Sequence, residues 1–188
     1  MNDEALNKAK KLLSLLEGFN TPLHQVRYVA QDLNELKIVY CVIGGVALSP
    51  HNYIRHTEDI DILVAKRDVP KLKGLIGCGY TYRPGSKKNM YFHTSAGGRI
   101  PIDILYEGDN KDGFVMPNPK SIRTKIGGVW YISLVKVIDM KLTTARPGDL
   151  QDVLQLIWYN ELGPDFADQL PLSTRSEFRH YLKEMEKR

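Results

Sequence analysis

The chain has 188 residues, 43% hydrophobic and 26% charged, with a net charge of +4 and a pI near 8.9. This is the composition of one globular, soluble domain; no apolar run approaches the roughly 18 residues that cross a bilayer, and the opening MNDEALNKAKK lacks a signal peptide's apolar core. Two cysteines without metal-ligand spacing, Cys41 and Cys78, point to a reduced, cytoplasmic protein, and the basic balance suits a nucleic acid or a triphosphate equally.

Apolar residues at Ala5, Leu6, Ala9, Leu12, Leu13 and Leu16 recur at helical spacing over residues 3–17, and Gly18 closes that helix. Thr21-Pro22 opens a second helix to about residue 36. Residues 38–43 read as the first strand, 45–52 as a two-turn helix and 59–65 as the second strand. Asp68 is placed to cap a helix over 69–76, broken by Gly77 and Gly79. Strands at 80–83 and 89–94 flank a Pro-Gly turn, and Gly97-Gly98 turns the chain into a strand at 99–106. Residues 107–119, rich in Gly, Asp, Asn and Pro, read as a loop. A hairpin of 121–126 and 129–132 follows about Gly127-Gly128. Ser133 then caps a helix at 134–145, Arg146-Pro147-Gly148 breaks it, and Asp149 caps a helix to residue 160. Thr174 and Glu177 have capping-box spacing for a last helix at 176–187. The expected fold is α/β (α+β): one domain over 1–188, with N-terminal helices at 1–36, a mixed-sheet core at 37–132 and C-terminal helices at 133–188.

The stretch that organises the rest is GGVALSPHNYIRHTEDIDILV, residues 44–64. On a strand, Asp59 and Asp61 share a face with Cα atoms about 7 Å apart, while Ile60, Ile62 and Val64 point into a core. Two like charges side by side repel and are costly to desolvate. A hard divalent cation between them removes that cost and leaves coordination positions open for phosphate oxygens. Gly44-Gly45 lets the backbone approach such phosphates, although two glycines also suit a plain strand-to-helix turn.

Gly44, Gly45, Ala47, Arg55, Thr57, Asp59 and Asp61, in this order and spacing, resemble the motif of the nucleotidyltransferase superfamily, which has the fold of DNA polymerase beta. The nearer likeness is to its minimal members, the abortive-infection and toxin-type transferases and the small antibiotic nucleotidyltransferases. The resemblance covers about residues 38–65, 99–106 and 136–156. It implies transfer of a nucleoside monophosphate from an NTP such as ATP to a hydroxyl of RNA (tRNA included), protein or a small molecule, with pyrophosphate leaving. It also implies that Asp59, Asp61 and Asp103 hold two Mg²⁺ ions, with Mn²⁺ as a substitute, and that Asp103 helps take the acceptor's proton. Many members carry Ser or Thr directly after the glycines; here Val46 stands there and Ser49 follows three residues on. Gly44, Gly45, Ser49, Arg55 and Thr57 are the nucleotide-binding candidates from this motif.

Lys141, Arg146 and Asp152 resemble the later motifs of the toxin-type family, although Pro147-Gly148 departs from its common form. By that resemblance Lys141 contacts the triphosphate, with Arg146, and Asp152 steadies the cationic side chains. The residues alone allow plainer readings: Asp103 in a strand-end salt bridge, Arg55 on the surface, Lys141 on a solvated face and Asp149 as a helix cap. The histidines are scattered and read as surface or packing residues. Trp130 and Trp158 read as core, and Tyr80, Tyr82, Tyr91 and Phe92 as core or a groove wall. The rival function is a non-catalytic member of the same fold that binds a protein partner such as an antitoxin.

Overall fold

The computed structural model describes residues 21–84, 89–93 and 100–186. The helix expected at 3–17, the Pro-Gly turn after Pro84, the Gly97-Gly98 turn and the last two residues lie outside them. Among the described residues no helix is long and apolar enough to cross a membrane.

Helix α1, Pro22–Glu35, starts on proline at its first position and buries Val26, Val29, Ala30 and Leu33 along one face. It ends where Lys37 turns left-handed and the Ile38 N–H reaches back to the Leu33 carbonyl at 2.9 Å. The strands are β1 Tyr40–Ile43, β2 Ile60–Val64, β3 Tyr80–Pro84, β4 Asn89–His93, β5 Pro101–Tyr106, β6 Asn110–Lys111, β7 Phe114–Val115, β8 Arg123–Ile126 and β9 Val129–Ile132. Seven of them form one mixed sheet in the order β3-β4-β5-β2-β1-β9-β8. The β2–β5 and β1–β9 joints are parallel and the others antiparallel. Every residue of β1 and β2 is buried, so the centre of the sheet is covered on both faces and only the strand ends reach a cleft.

Helices α2 Gly74–Gly77, α3 Pro119–Ile122, α4 Leu134–Thr144, α5 Pro147–Tyr159 and α6 Leu172–Glu186 complete the chain. Several expected elements change character where proline or a tertiary partner intervenes. The stretch after the glycines is a 3-10 helix, Val46–His51, because Pro50 lies inside it and Asn52 ends it left-handed. Lys66–Lys73 is likewise 3-10, with Pro70 inside, and α2 adds a single turn. Asp68 is therefore no N-cap; its carboxylate accepts the Val39 N–H at 2.9 Å and pairs with Lys71 at 2.7 Å. The stretch 107–119 is not all loop, since β6 and β7 form a hairpin there. Residues 121–122 belong to α3, so the strand expected from 121 starts at Arg123.

Ser133 caps α4 as expected, accepting the Lys136 N–H. Arg146 stands at the N-cap of α5 and Pro147 at its first position, so Asp149 lies in the first turn and is not the cap. The last helix begins at Leu172, and Thr174 sits inside it with its hydroxyl donated to the buried Asp139 carboxylate at 2.9 Å; no capping box forms. Trp158 is 68% exposed on α5 rather than core, while half-buried Trp130 lies under the Arg123 guanidinium, 4.1 Å from its ring centre.

Ile62 is fully enclosed at the middle of the sheet, between β1 and β5. Ile62→Ala is expected to lower the unfolding free energy by about 2–5 kcal/mol, read from urea denaturation followed by circular dichroism.

Candidate active site

The parallel pairing of β2 and β5 sets Asp61 opposite Asp103, and Asp59 lies just before β2, one pleat period back on the same face. One carboxylate oxygen from each of the three acids lies within 4.8 Å of the others. Asp61 and Asp103 are buried, Asp103 to 2% exposure, and Asp59 is half-buried. At that spacing two carboxylates repel by roughly 3 kcal/mol even in an effective dielectric of about 20. An all-oxygen set of three carboxylates suits a hard divalent cation such as Mg²⁺ or Mn²⁺, and lacks the thiolate or imidazole donors typical of zinc.

The two glycines are required by the acids. Gly44 has φ +67, and any Cβ there would run into the Asp61 carboxylate. Its neighbour is as tightly placed, since a Cβ on Gly45 would come within 2.8 Å of the Thr57 hydroxyl and 3.4 Å of Arg55 Nη1. The missing side chains let the strand-to-turn backbone lie directly against the DxD segment. Thr57 in turn donates its hydroxyl to the Asp59 carboxylate at 3.1 Å and aims it. The turn itself is pinned from behind: His51 sits 2.7 Å from the Ile132 carbonyl, and the Asn160 amide donates to the His51 carbonyl at 2.8 Å. Burial pulls the His51 imidazole below its ordinary pKa, in keeping with a neutral ring that donates to that carbonyl.

Facing the acids across a cleft of about 420 Å³ is a wall built from α4, α5 and the β6–β7 hairpin. Lys141 is 3% exposed, so the solvated-face reading fails. Its ammonium bridges Asp149 at 2.9 Å and Asp152 at 2.6 Å. Asp152 also receives Arg55 Nε, at 2.9 and 3.2 Å to its two oxygens. Thr144 donates to Asp149 at 2.8 Å, and exposed Arg146 pairs with Asp149 at 2.7 Å and Asp112 at 3.8 Å. Burial alone would push the Asp149 carboxyl up, but Lys141, Arg146 and Thr144 outweigh it and hold the group below the ordinary carboxylate range. Tyr53 completes this corner, stacked on Tyr159 with ring centres 5.9 Å apart; burial first, then the Asp152 charge, raises its phenol pKa.

Gly44, Gly45, Arg55, Thr57, Asp59, Asp61, Lys141 and Arg146 all line the cleft. Asp103 joins them through the acid cluster and Asp152 through its pairs with Arg55 and Lys141. Ser49 does not line the cleft; its hydroxyl donates to the Val46 carbonyl inside the 3-10 turn at 3.0 Å. Arg55 is no free surface residue, since it ties the segment before β2 to α5. Two polar cleft residues escape the motif reading, Lys111 and Thr144, and Asp149, grouped with the later motif but read as a helix cap, lines the cleft as well. The sequence signal that could have found Lys111 is Asp112-Gly113, whose positive φ angles of 52° and 88° close the β6–β7 hairpin.

Gly44→Ala is expected to cost at least about 1 kcal/mol from the left-handed backbone alone, and more from the displaced Asp61, read as a lowered urea midpoint. For Asp149 the sign follows from its lowered pKa. The ionised carboxyl contributes stability that is full above the ordinary value of about 3.9, and that contribution drains as the pH falls through the lowered folded value. The stability gap between the wild type and Asp149→Asn is expected to hold steady from pH 7 to about pH 5 and to shrink below it, as urea titrations at each pH will show.

No protein-family model matches the chain, and no curated protein matches it by sequence. Solved structures do match. ANT(2″)-Ia, crystallised in complex with adenylyl-2″-tobramycin, is 14% identical with a TM-score of 0.54, covering 83% of this chain and 97% of its own. The lincosamide antibiotic adenylyltransferase LnuA, in its lincomycin-bound crystal structure, is 17% identical with a TM-score of 0.50 over 72% of this chain and 96% of that one. An antigenic nucleotidyltransferase-like protein from Paracoccidioides brasiliensis is 18% identical with a TM-score of 0.52, covering 88% of each chain. With its mixed sheet and flanking helices, the chain has the nucleotidyltransferase fold.

Proposed function

We propose that this protein is a divalent-metal-dependent nucleotidyltransferase that moves a nucleoside monophosphate from an NTP to a hydroxyl acceptor. The observation that carries the reading is the meeting of Asp59, Asp61 and Asp103 within 4.8 Å beside a cleft whose opposite wall sets Lys111, Lys141 and Arg146 among aspartates. In the reaction the acceptor oxygen bonds to the α-phosphorus, the bond from that phosphorus to the β-bridging oxygen breaks, and pyrophosphate leaves. Asp59 and Asp61, joined by Asp103, would hold Mg²⁺, which when bound lowers the pKa of an attacking hydroxyl and neutralises a leaving phosphate. Asp103, buried opposite Asp61, would take the acceptor's proton. Thr57 keeps Asp59 aimed at the cleft. Arg146, more than half exposed at the cleft mouth, is free to turn toward a phosphate. Lys141 and Asp152 hold Arg55 and the helix α5 wall in register with the acids.

A small hydroxylated acceptor is favoured. The structures of ANT(2″)-Ia and LnuA carry adenylyl-2″-tobramycin and lincomycin, and the two chains are covered almost whole by the match.

The test is transfer of label from each of the four α-³²P NTPs, with Mg²⁺, to the RNA, protein and small-molecule fractions of a cell extract. Label is expected in the small-molecule fraction. Asp61→Asn should cut transfer by about 10³-fold or more. The same substitution should leave the metal-free unfolding midpoint unchanged or higher, because it removes one of three crowded carboxylates. Label in the RNA or protein fraction instead would keep the enzyme and change the acceptor. No label and no Mg-NTP binding would overturn the proposal in favour of a non-catalytic, partner-binding role.

A further inference from the structure

Resting on the nucleotidyltransferase reading above, we propose that Lys111 is a triphosphate-binding residue. Its ammonium balances the acid cluster until metal and nucleotide arrive. Lys111 is carried on the β6–β7 hairpin, whose two strands, among the described residues, pair only with each other. The hairpin grows directly from β5, the strand of Asp103, and its root is firm. The Gly108 N–H donates to the Met116 carbonyl at 2.8 Å, the Met116 N–H to the Asp109 carbonyl at 2.7 Å, and the Met116 side chain is buried. The tip is held by the Asp112-Gly113 turn, where the Gly113 N–H donates to Asn110 Oδ1 at 3.0 Å.

From that tip two charges reach the cleft. Lys111 Nζ lies 3.8 Å from Asp61 Oδ1, and Asp112 Oδ2 lies 3.8 Å from Arg146 Nε. Both pairs sit at the outer edge of ionic contact, and Lys111 is 28% exposed. Such pairs are weak and exchange partners at little cost. The other lysine lining the cleft is committed: Lys141 is enclosed and bridges two carboxylates at 2.6 and 2.9 Å. Among the described residues Lys111 is thus the cleft lysine that can give up its carboxylate for a phosphate, and lysine's flexible stem and compact charge suit the exchange. A divalent cation arriving beside Asp61 repels the ammonium, and the triphosphate arriving with it supplies the new counter-charge.

Two effects of opposite sign follow for Lys111→Met, which keeps the stem and removes the charge. Mn²⁺ alone, measured by electron paramagnetic resonance, is expected to bind up to about 5-fold more tightly, because a competing cation is gone. Mg²⁺ with inorganic tripolyphosphate, and with each NTP, is expected to bind about 10-fold more weakly by calorimetry. Lys111→Arg should restore the second affinity. A merely structural lysine would move both affinities the same way or neither, and either result overturns the proposal. Asp61→Asn measured alongside separates the two readings. If it abolishes Mn²⁺ binding while Lys111→Met changes nothing, only the Lys111 proposal falls. If wild-type Mn²⁺ binding is indifferent to Asp61→Asn, the nucleotidyltransferase reading falls and takes this one with it.

Discussion

The cleft depends on one register, Asp61 opposite Asp103 in the parallel β2–β5 pair. That register is set by apolar neighbours, since Ile60 faces Ile102, Ile62 faces Ile104 and Leu63 faces Leu105 in the same ladder. A slip of one residue would turn the carboxylates into the core and the isoleucines into the cleft. Burying those side chains, each worth roughly 1.5–3 kcal/mol, more than offsets the mutual repulsion of the acids. The acids are crowded because the core requires it. The folded sheet therefore brings together three carboxylates whose spacing is compatible with a divalent cation.

The glycines and the threonine belong to the same constraint. With Asp61 held by the sheet, the backbone at residue 44 has no room for a side chain, and at residue 45 the space is taken by Thr57 and Arg55. The motif GG…RxTxD is thus one packed unit in which each small residue clears the way for a functional one. His51 and Asn160 close the unit from behind and couple it to β9 and α5.

The facing wall has its own logic. The α4–α5 break, left-handed at Ala145 and restarted on Pro147, points Lys141, Thr144, Arg146 and Asp149 at one another. Charges then alternate from Asp61 through Lys111, Asp112, Arg146, Asp149, Lys141 and Asp152 to Arg55. A buried ion pair adds little net stability, because desolvation cancels much of the attraction. Its effect is geometric: two carboxylates of α5 on one enclosed ammonium of α4 fix those helices together, and Asp152 ties α5 through Arg55 to the segment that precedes β2. The longest pairs of the series, Lys111–Asp61 and Arg146–Asp112, are both made from the hairpin tip.

Local periodicity and motif spacing were enough to place the central strands, helices α1, α4 and α5, and the acids Asp59 and Asp61 on one face, while Asp103 was joined to them only by the family resemblance. Those features follow from alternation along a strand and from apolar spacing along a helix, which any short window of sequence displays. Side-chain destinations were not legible. Thr174, Asp68 and Asp149 look like caps in sequence, yet each is claimed by a distant or buried partner. Ser49 looks like a phosphate ligand and is folded into its own turn, and Trp158 looks like core and is exposed. Lys141 could be read as solvated or functional until two carboxylates enclosed it. Lys111 gave no signal beyond the Asp-Gly turn beside it. By itself, then, the sequence determined the elements and the acidic motif, because these are set by neighbours in the chain. Tertiary structure decided which charges meet across the cleft, because partners up to 97 residues apart are brought together only when the sheet and its helices pack.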